Sequence, residues 1–248
     1  MCCETCRPRG GRVDQVAPDE SEVTEPAHEI AGGSALAEYE RRTRRRDASV
    51  RAKHPRLGGL ILAVTEEPGS TAAWAKGARG ERYVGFYFDR LRSTGAAVLH
   101  DRRIPRTRAN IDHIVVADSG VWIIDTKHYG GRIQRRDTGG WFRSDIRLFV
   151  GRRDRTNLVV AMAKQVDAVR AALGCDNVLI RPVLCFVDAE RTAFAKPFRL
   201  GGVLVTSPRR LRRSIQHGAD QGLDVSEIAA RLSARLPPAT HVARGEQV

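Results

Sequence analysis

The chain has 248 residues, of which 42% are hydrophobic and 29% are charged. This composition is typical of a globular protein and excludes a wholly disordered or collagen-like chain. The longest apolar run, Leu57 to Val64, is far shorter than the roughly 20 residues that cross a bilayer, so we expect no transmembrane helix. The five cysteines are an odd number, and the first residues lack the order of a signal peptide. We therefore expect a reduced, cytoplasmic protein.

The net charge of +13 is distributed unevenly. Residues 1–30 carry a net charge of −4, residues 31–56 carry +5, and residues 57–248 carry +12. A basic domain suits a polyanionic partner, because neutralising phosphates releases condensed counterions. Arginine outnumbers lysine by 37 to 5, however, and such a bias can also reflect the composition of the coding genome. The charge alone therefore leaves both explanations open.

Two segments precede the domain that we place at residues 57–248. Residues 1–33 are rich in glycine, proline and acids and have no apolar period, which predicts a disordered tail. Cys3 and Cys6 have the spacing of a metal knuckle, but no second pair follows nearby, so we interpret them as free thiols. Residues 34–56 combine a capping serine with helix formers and many arginines, and they predict a solvated basic helix. This helix could contact phosphates, although a charged run is more often a solvated face.

The apolar pattern of residues 57–248 predicts alternating helices and strands. A helix at about 69–92 is followed by strands at 97–104, 110–117 and 121–126 and by an irregular or hairpin segment at 129–153. A helix at about 156–173 then precedes strands at 178–187 and 202–206. Two short helices close the chain, and Asp224 caps the last of them. The second and third strands are separated by a hairpin signal at Asp118, Ser119 and Gly120. This order predicts an α/β fold with a mixed sheet flanked by helices.

The first helix of the domain carries a carboxylate on its apolar side. The apolar stripe that contains Val84 and Phe88 extends back through Glu81, Gly80 and Gly77. Glycines on this side let the helix approach the sheet closely. A buried carboxylate needs a cation or a hydrogen-bonding partner. On the helix alone, an ion pair between Glu81 and one of the many arginines at the rim remains the simpler alternative.

The hairpin that follows brings two more acids into consideration. Each of its strands carries an acid, Asp112 or Asp125, at the end distant from the turn. Side chains alternate between the faces of a strand, so Asp125 and Lys127 share one face. A two-residue loop at Asp118 and Ser119 would place Asp112 opposite Asp125 on that face, whereas a three-residue loop would break this parity unless a bulge restored it. Solvent-exposed strand ends would explain each acid singly, but not their clustering with a lysine.

Lys127 is one of only five lysines in an arginine-rich chain. A lysine at this position indicates a role that an arginine guanidinium could not fill. The compact ammonium group of a lysine can approach a water molecule or a phosphate oxygen closely. Acids that gather a divalent cation beside such a lysine are what metal-assisted cleavage of a phosphodiester requires. The adjacent His113 and His128 flank the acids, and we expect structural roles for both.

Three motifs in the same order resemble those of a known family. They are Gly77-Ala-Arg-Gly80-Glu81, Ala109-Asn110-Ile111-Asp112-His113-Ile114 and Gly120-Val-Trp-Ile-Ile-Asp125-Thr126-Lys127. Over about residues 72–190 the chain resembles the NERD family, the nuclease-related domain. That family in turn resembles the PD-(D/E)XK nucleases, which have a restriction-endonuclease-like fold.

The resemblance implies a site as well as a fold. It implies that Glu81, Asp112 and Asp125 bind Mg²⁺ or Mn²⁺ and that Lys127 is the catalytic lysine. The third motif reads Asp-Thr-Lys rather than Glu-x-Lys, a variant that the superfamily also uses. Many of its members place a glutamine on the helix after the hairpin, for which Gln165 is the candidate; an ordinary glutamine at the edge of a helix explains Gln165 equally well.

We therefore expect a divalent-metal-dependent nuclease that acts on DNA. Its expected partner is nucleic acid, and we expect no association with a membrane. The alternative is a nucleic-acid-binding module on the same fold with little or no catalysis. A third interpretation is an interaction protein that uses residues 1–56 as a tether. The oligomeric state is not predicted.

Overall fold

The structure, a computed structural model, describes residues 31–55, 69–141, 143–187 and 196–239. Its helices are α1 (Gly33–Lys53), α2 (Gly69–Asp89), α3 (Thr156–Leu173), α4 (Pro208–Gln216) and α5 (Val225–Arg235). Its strands are β1 (Ala97–Arg103), β2 (Asn110–Ala117), β3 (Gly120–Lys127), β4 (Ile133–Asp137), β5 (Ile146–Val150), β6 (Arg153–Asp154), β7 (Ile180–Phe186), β8 (Phe198–Leu200) and β9 (Val203–Thr206).

Six strands form one mixed sheet in the order β1-β2-β3-β7-β9-β8. The first three strands are antiparallel, and β3, β7 and β9 run parallel to one another. The parallel strands are joined by long crossover connections, as parallel pairing requires. The α/β class and the mixed sheet flanked by helices, both predicted from the sequence, are confirmed.

The sheet is covered on both faces, which explains why its central strands are almost continuously apolar. Along β3, Val121 and Ile123 belong to the core on the side of α3 and α5. Trp122 and Ile124 belong to the core on the side of α2 and α4. The side chains of β3 thus alternate between two separate apolar layers, and the helices on either side fix the sheet in place.

A second sheet is formed by β4, β5 and β6, which are paired antiparallel. It accounts for the segment 129–153, for which the sequence predicts irregular or hairpin structure. The strand β8 at the edge of the main sheet is not predicted, because its three residues are too few to show an alternating pattern.

The predicted basic helix is α1, but it is not solvated along its whole length. Ala31 and Ala35, around its first turn, are buried. The predicted tail at residues 1–33 and the apolar run at residues 57–64 lie outside the described residues, except for residues 31–33. None of the helices that the structure describes is long and apolar enough to cross a membrane.

Candidate active site

The register of the first three strands brings acidic residues into one row. His113 on β2 pairs with Ile124 on β3, so the next position places Asp112 opposite Asp125. The turn between these strands has two residues, because Ala117 pairs with Gly120, as the sequence prediction requires. On the other side of β2, His100 pairs with His113, so Asp101 on β1 lies opposite Asp112. Three acids on three neighbouring strands therefore lie side by side.

Asp125 and Lys127 form an ion pair at the end of β3. The Lys127 Nζ donates a hydrogen bond to Asp125 Oδ1 at 2.5 Å, and the Asp125 side chain is only 9% exposed. Burial by itself would lower the pKa of Lys127, but the charges of Asp125 and Asp112 outweigh that effect and raise it above its usual value. Lys127 is therefore a permanent cation at neutral pH.

Asp112 is linked to the backbone of the neighbouring strand. Its Oδ2 accepts a hydrogen bond of 2.7 Å from the N–H of Thr126, at the point where the ladder between β2 and β3 ends. Burial raises the pKa of the Asp112 carboxyl well above its usual value, and the negative charges of Glu81 and Asp125 raise it further. The ionised form of Asp112 is thus costly unless a cation compensates it.

Glu81 reaches this row of acids from α2. Burial raises the pKa of Glu81 from 4.5 to about 7, and the charges of Asp101 and Asp125 add to this effect against the opposing attraction of Lys127. Within the part of the chain that the structure describes, no arginine pairs with Glu81 and its carboxylate accepts no hydrogen bond. The side chain is half-buried. The ion pair at the rim that the sequence left open is therefore not observed there.

Gly80 explains how α2 comes close enough to the end of β3. A Cβ atom at this position would lie 3.2 Å from the Cδ2 atom of His128, the residue that directly follows Lys127. A side chain at this position would therefore require the His128 ring or the helix to shift by a few tenths of an ångström. The glycine next to Glu81 therefore allows the helix to place this carboxylate near Asp125 and Lys127.

The chemistry of these side chains fits Mg²⁺ or Mn²⁺. Three carboxylates supply the hard oxygen ligands that such ions prefer, and the raised pKa values of Glu81 and Asp112 indicate negative charge that Lys127 alone does not balance. Among the described residues, however, no three acidic, histidine or cysteine side chains are arranged to hold an ion. Asp125 is turned to Lys127 and Asp112 to the Thr126 N–H. Binding of all three carboxylates to one ion therefore stays a prediction.

Gln165 lies on α3 and is half-buried. Its Oε1 is shielded from solvent and has no hydrogen-bond partner in the described part of the chain. A glutamine in this environment is not a fully solvated residue at the edge of a helix. No hydrogen bond connects it to the acids or to Lys127, so its role in the site also stays a prediction.

The site includes two residues that the sequence analysis did not select. Asp101 is buried and has a positive φ of 48°. Its Oδ2 accepts a hydrogen bond of 2.5 Å from the Ser34 N–H, and its Oδ1 accepts one of 2.7 Å from the Ser34 hydroxyl. Asp101 lies in the predicted strand 97–104 beside His100 and Arg102, so the sequence pattern gives little signal that its carboxylate belongs to the site. The sequence indicates Ser34 only as a helix cap, whereas the N-cap of α1 is Gly32, and no local pattern predicts a contact with a residue 67 positions away.

The start of α1 is packed directly against the stem of Glu81. Gly32 has a φ of 73°, and a Cβ atom there would lie 2.8 Å from the carbonyl oxygen of Ala78 and 3.2 Å from the Cβ of Glu81. Only glycine tolerates both the backbone conformation and this close approach. The beginning of α1 is therefore part of the wall of the candidate site.

Behind the site, a chain of polar contacts connects α2 with β1 and β2. The Nδ1 atoms of His100 and His113 are 2.8 Å apart, and the His100 Nε2 is 3.0 Å from Asp89 Oδ1. Burial, together with the charge of His100, lowers the pKa of His113 well below its usual value, so His113 is neutral. The structural role expected for this histidine agrees with these contacts.

The NERD family model, described as a nuclease-related domain, matches residues 76–187. This part of the chain is therefore similar to a nuclease-related domain. The match contains Glu81, Asp112, Asp125, Lys127 and Gln165. No curated protein and no solved structure matched the chain.

The residues that match the nuclease-related domain extend from within α2 to just beyond the end of β7. The elements β9 and β8 continue the sheet beyond β7, and α4 and α5 contribute apolar side chains to the cores on its two faces. Asp101 lies within the matched residues, whereas Ser34 lies before them. The wall that α1 contributes therefore lies outside the matched residues.

Proposed function

We propose that this protein is a divalent-metal-dependent nuclease that hydrolyses phosphodiester bonds in DNA. The observation that carries the proposal is the grouping, within the residues that match a nuclease-related domain, of Glu81, Asp112 and Asp125 around the cation Lys127, where burial and neighbouring negative charge raise the pKa values of Glu81 and Asp112. Neither a structural salt bridge nor a solvated strand end requires three acids at this place. Perturbed titratable groups of this kind are characteristic of functional sites.

Glu81, Asp112 and Asp125 would hold the ion. A bound Mg²⁺ or Mn²⁺ supplies the positive charge that stabilises the reacting phosphate and lowers the pKa of water. With a pKa of about 7, Glu81 carries its proton for part of the time at neutral pH. Its carboxyl must release that proton to become a ligand, so we expect occupancy of the site to increase from about pH 6 to about pH 8.

Lys127 acts as a cation rather than as a base in this proposal. Its raised pKa keeps a proton on Nζ at neutral pH, so it cannot accept one from water. The ammonium group can donate a hydrogen bond to a phosphate oxygen and offset the charge that develops there. Asp125 accepts a hydrogen bond from the Lys127 Nζ and so holds the ammonium group at the end of β3.

The choice of DNA as substrate is supported by charge. The segment 57–248, which includes the residues that match the nuclease-related domain, carries a net charge of +12, and such a surface attracts a phosphate backbone. The second candidate function is a nucleic-acid-binding module without catalysis. It is favoured by the ion pair of Lys127 with Asp125 and by the absence, among the described residues, of three metal-ligating side chains within reach of one ion.

A cleavage assay separates the two candidates. Supercoiled plasmid DNA is incubated with the full-length chain and Mg²⁺ or Mn²⁺, and the loss of the supercoiled form is followed on a gel. We expect cleavage that EDTA abolishes, and a rate that Lys127→Ala or Asp125→Asn lowers by about a hundredfold or more. Lys164→Ala is the matched control, since Lys164 is an exposed lysine on α3, and it should cut like the wild type.

Two outcomes would reject the nuclease. One is a wild-type chain that cuts no DNA with either metal. The other is a Lys127→Ala variant that cuts as fast as the wild type, because a contaminating nuclease would then be the source of the activity. Circular dichroism of each variant shows whether the fold is retained.

A further inference from the structure

A basic cleft lies between the start of β4 and residues 196–199, which lead into β8 and form its first two positions. It has a volume of about 660 Å³ and eight lining residues. Four of these residues are cationic and none is acidic; the cations are Arg132, Arg135, Lys196 and Arg199. All four are exposed. The cleft therefore combines two chain segments into one concave positive surface.

The positive charge of the cleft is not neutralised by the described acids. None of its four cations forms an ion pair within the part of the chain that the structure describes, whereas Arg147 in the same small sheet is held by both Asp145 and Asp154, at 2.6 and 3.1 Å. Asp145 and Asp154 thus compensate Arg147 and not the cations of the cleft. An array of uncompensated cations around a concavity is the electrostatic pattern of a site for a polyanion.

The rest of the lining indicates which polyanion fits. Pro197, which is exposed, and Phe198, which is half-buried, contribute apolar surface between the cations. A strand of nucleic acid presents both features, because charged phosphates alternate with the less polar sugars and bases along its backbone. A purely charged partner such as an acidic peptide would leave the apolar surface without a matching contact.

The cleft is also close to the candidate active site along the chain. Lys127 ends β3 and Ile133 begins β4, and Arg132 follows Lys127 by only five positions. A chain of this length spans at most about 18 Å. At about 3.4 Å per nucleotide in B-form DNA, one strand can reach from Lys127 to the cleft within roughly five nucleotides.

We infer that this cleft binds the sugar–phosphate backbone of the DNA strand that the proposed site cuts. The inference rests on the proposed function for the choice of DNA. It goes beyond that function by assigning substrate binding to Arg132, Arg135 and Lys196, outside the catalytic group. Removing one cation that neutralises a phosphate should reduce the dependence of binding on salt by about one unit of slope in log K against log salt.

The test measures binding without cleavage. The full-length chain is titrated in EDTA into a fluorescein-labelled DNA duplex of about 20 base pairs at several KCl concentrations, and anisotropy gives the affinity. The cleft variant combines Arg132→Gln, Arg135→Gln and Lys196→Gln. The control variant combines Arg90→Gln, Arg213→Gln and Arg235→Gln, which remove the same charge from three exposed positions at other places on the domain.

We expect the cleft variant to bind about tenfold more weakly or worse, with a slope shallower by about two to three units. The control variant should show a much smaller change in both. Equal effects of the two variants would overturn the inference, as would a wild-type chain that binds no DNA or that binds polyglutamate as tightly as DNA. If the wild-type chain binds DNA through the cleft but cuts no plasmid, the proposed nuclease activity is rejected and the cleft assignment is supported. If the wild-type chain cuts DNA but the cleft variant binds it normally, the cleft assignment is rejected and the nuclease proposal is supported.

Discussion

The Glu81 carboxyl titrates near neutral pH. Its pKa is raised from 4.5 to about 7, chiefly by burial. Between these two pH values the folded chain holds the proton more tightly than the unfolded chain. The contribution of Glu81 to the free energy of unfolding is therefore present below about pH 4.5 and is lost as the pH rises through 7.

Replacing this acid should remove that pH dependence. We expect Glu81→Gln to unfold at the same temperature as the wild type near pH 4.5. At about pH 8 it should be more stable by roughly 1–3 kcal/mol, which corresponds to a few degrees or more. Thermal unfolding followed by circular dichroism across this pH range measures the difference. Glu40→Gln changes an exposed glutamate on α1 and should change the melting temperature little at either pH.

Mg²⁺ should reverse the advantage of the variant at the higher pH. An ion that binds the folded wild type stabilises it by mass action, whereas Glu81→Gln has lost one of the proposed ligands. Melting curves of the two proteins that stay the same distance apart at all pH values, with and without Mg²⁺, would contradict the assignment.

At the residue scale, the sequence predicts those members of the site that local geometry determines. Asp112, Asp125 and Lys127 follow from strand alternation and a two-residue turn, which set the register of β2 and β3 without reference to the rest of the chain. Asp101 does not follow in this way. Six residues connect β1 to β2, so the loop fixes no register, and the positive φ of Asp101 interrupts the alternation of β1.

Among the elements, α1 differs most from its prediction. Its composition predicts a solvated basic helix, and its arginines do include Arg41 and Arg42, which pair with Glu38 on the helix itself. Its first turn instead packs on α2 and is fixed to β1 by the hydrogen bonds between Ser34 and Asp101. That docking depends on a partner 67 residues away, which no helical pattern within α1 can reveal.

The docking of α1 should contribute measurably to stability. We expect Ser34→Ala to lower the free energy of unfolding by about 1–2 kcal/mol, because the buried Asp101 Oδ1 loses its donor. Ser49→Ala, at an exposed position of the same helix, should change it by less than about 0.5 kcal/mol. Urea unfolding of both variants measures the difference. Equal stabilities would show that α1 is not held by this contact.

At the scale of the whole molecule, the class of the fold could be predicted but the order of its strands could not. Alternating strands and helices predict a mixed sheet. The pairing of β3 with β7 and of β7 with β9 joins strands across a long connection, and no turn sets the register of such pairs. The family match ends with β7, so it gives no information on β9, on the edge strand β8 or on the helix that follows them.

The central claim is that Glu81, Asp112 and Asp125 share one divalent ion. Electron paramagnetic resonance of Mn²⁺, titrated with the full-length chain at about pH 8, measures the bound fraction directly. We expect one bound ion per chain, displaced by Mg²⁺, and an affinity that Glu81→Gln, Asp112→Asn or Asp125→Asn each lowers at least about tenfold. Asp118→Asn, at the exposed first position of the turn between β2 and β3, should bind like the wild type. No bound Mn²⁺ in the wild type, or equal binding by the Asp125→Asn variant, would contradict the claim.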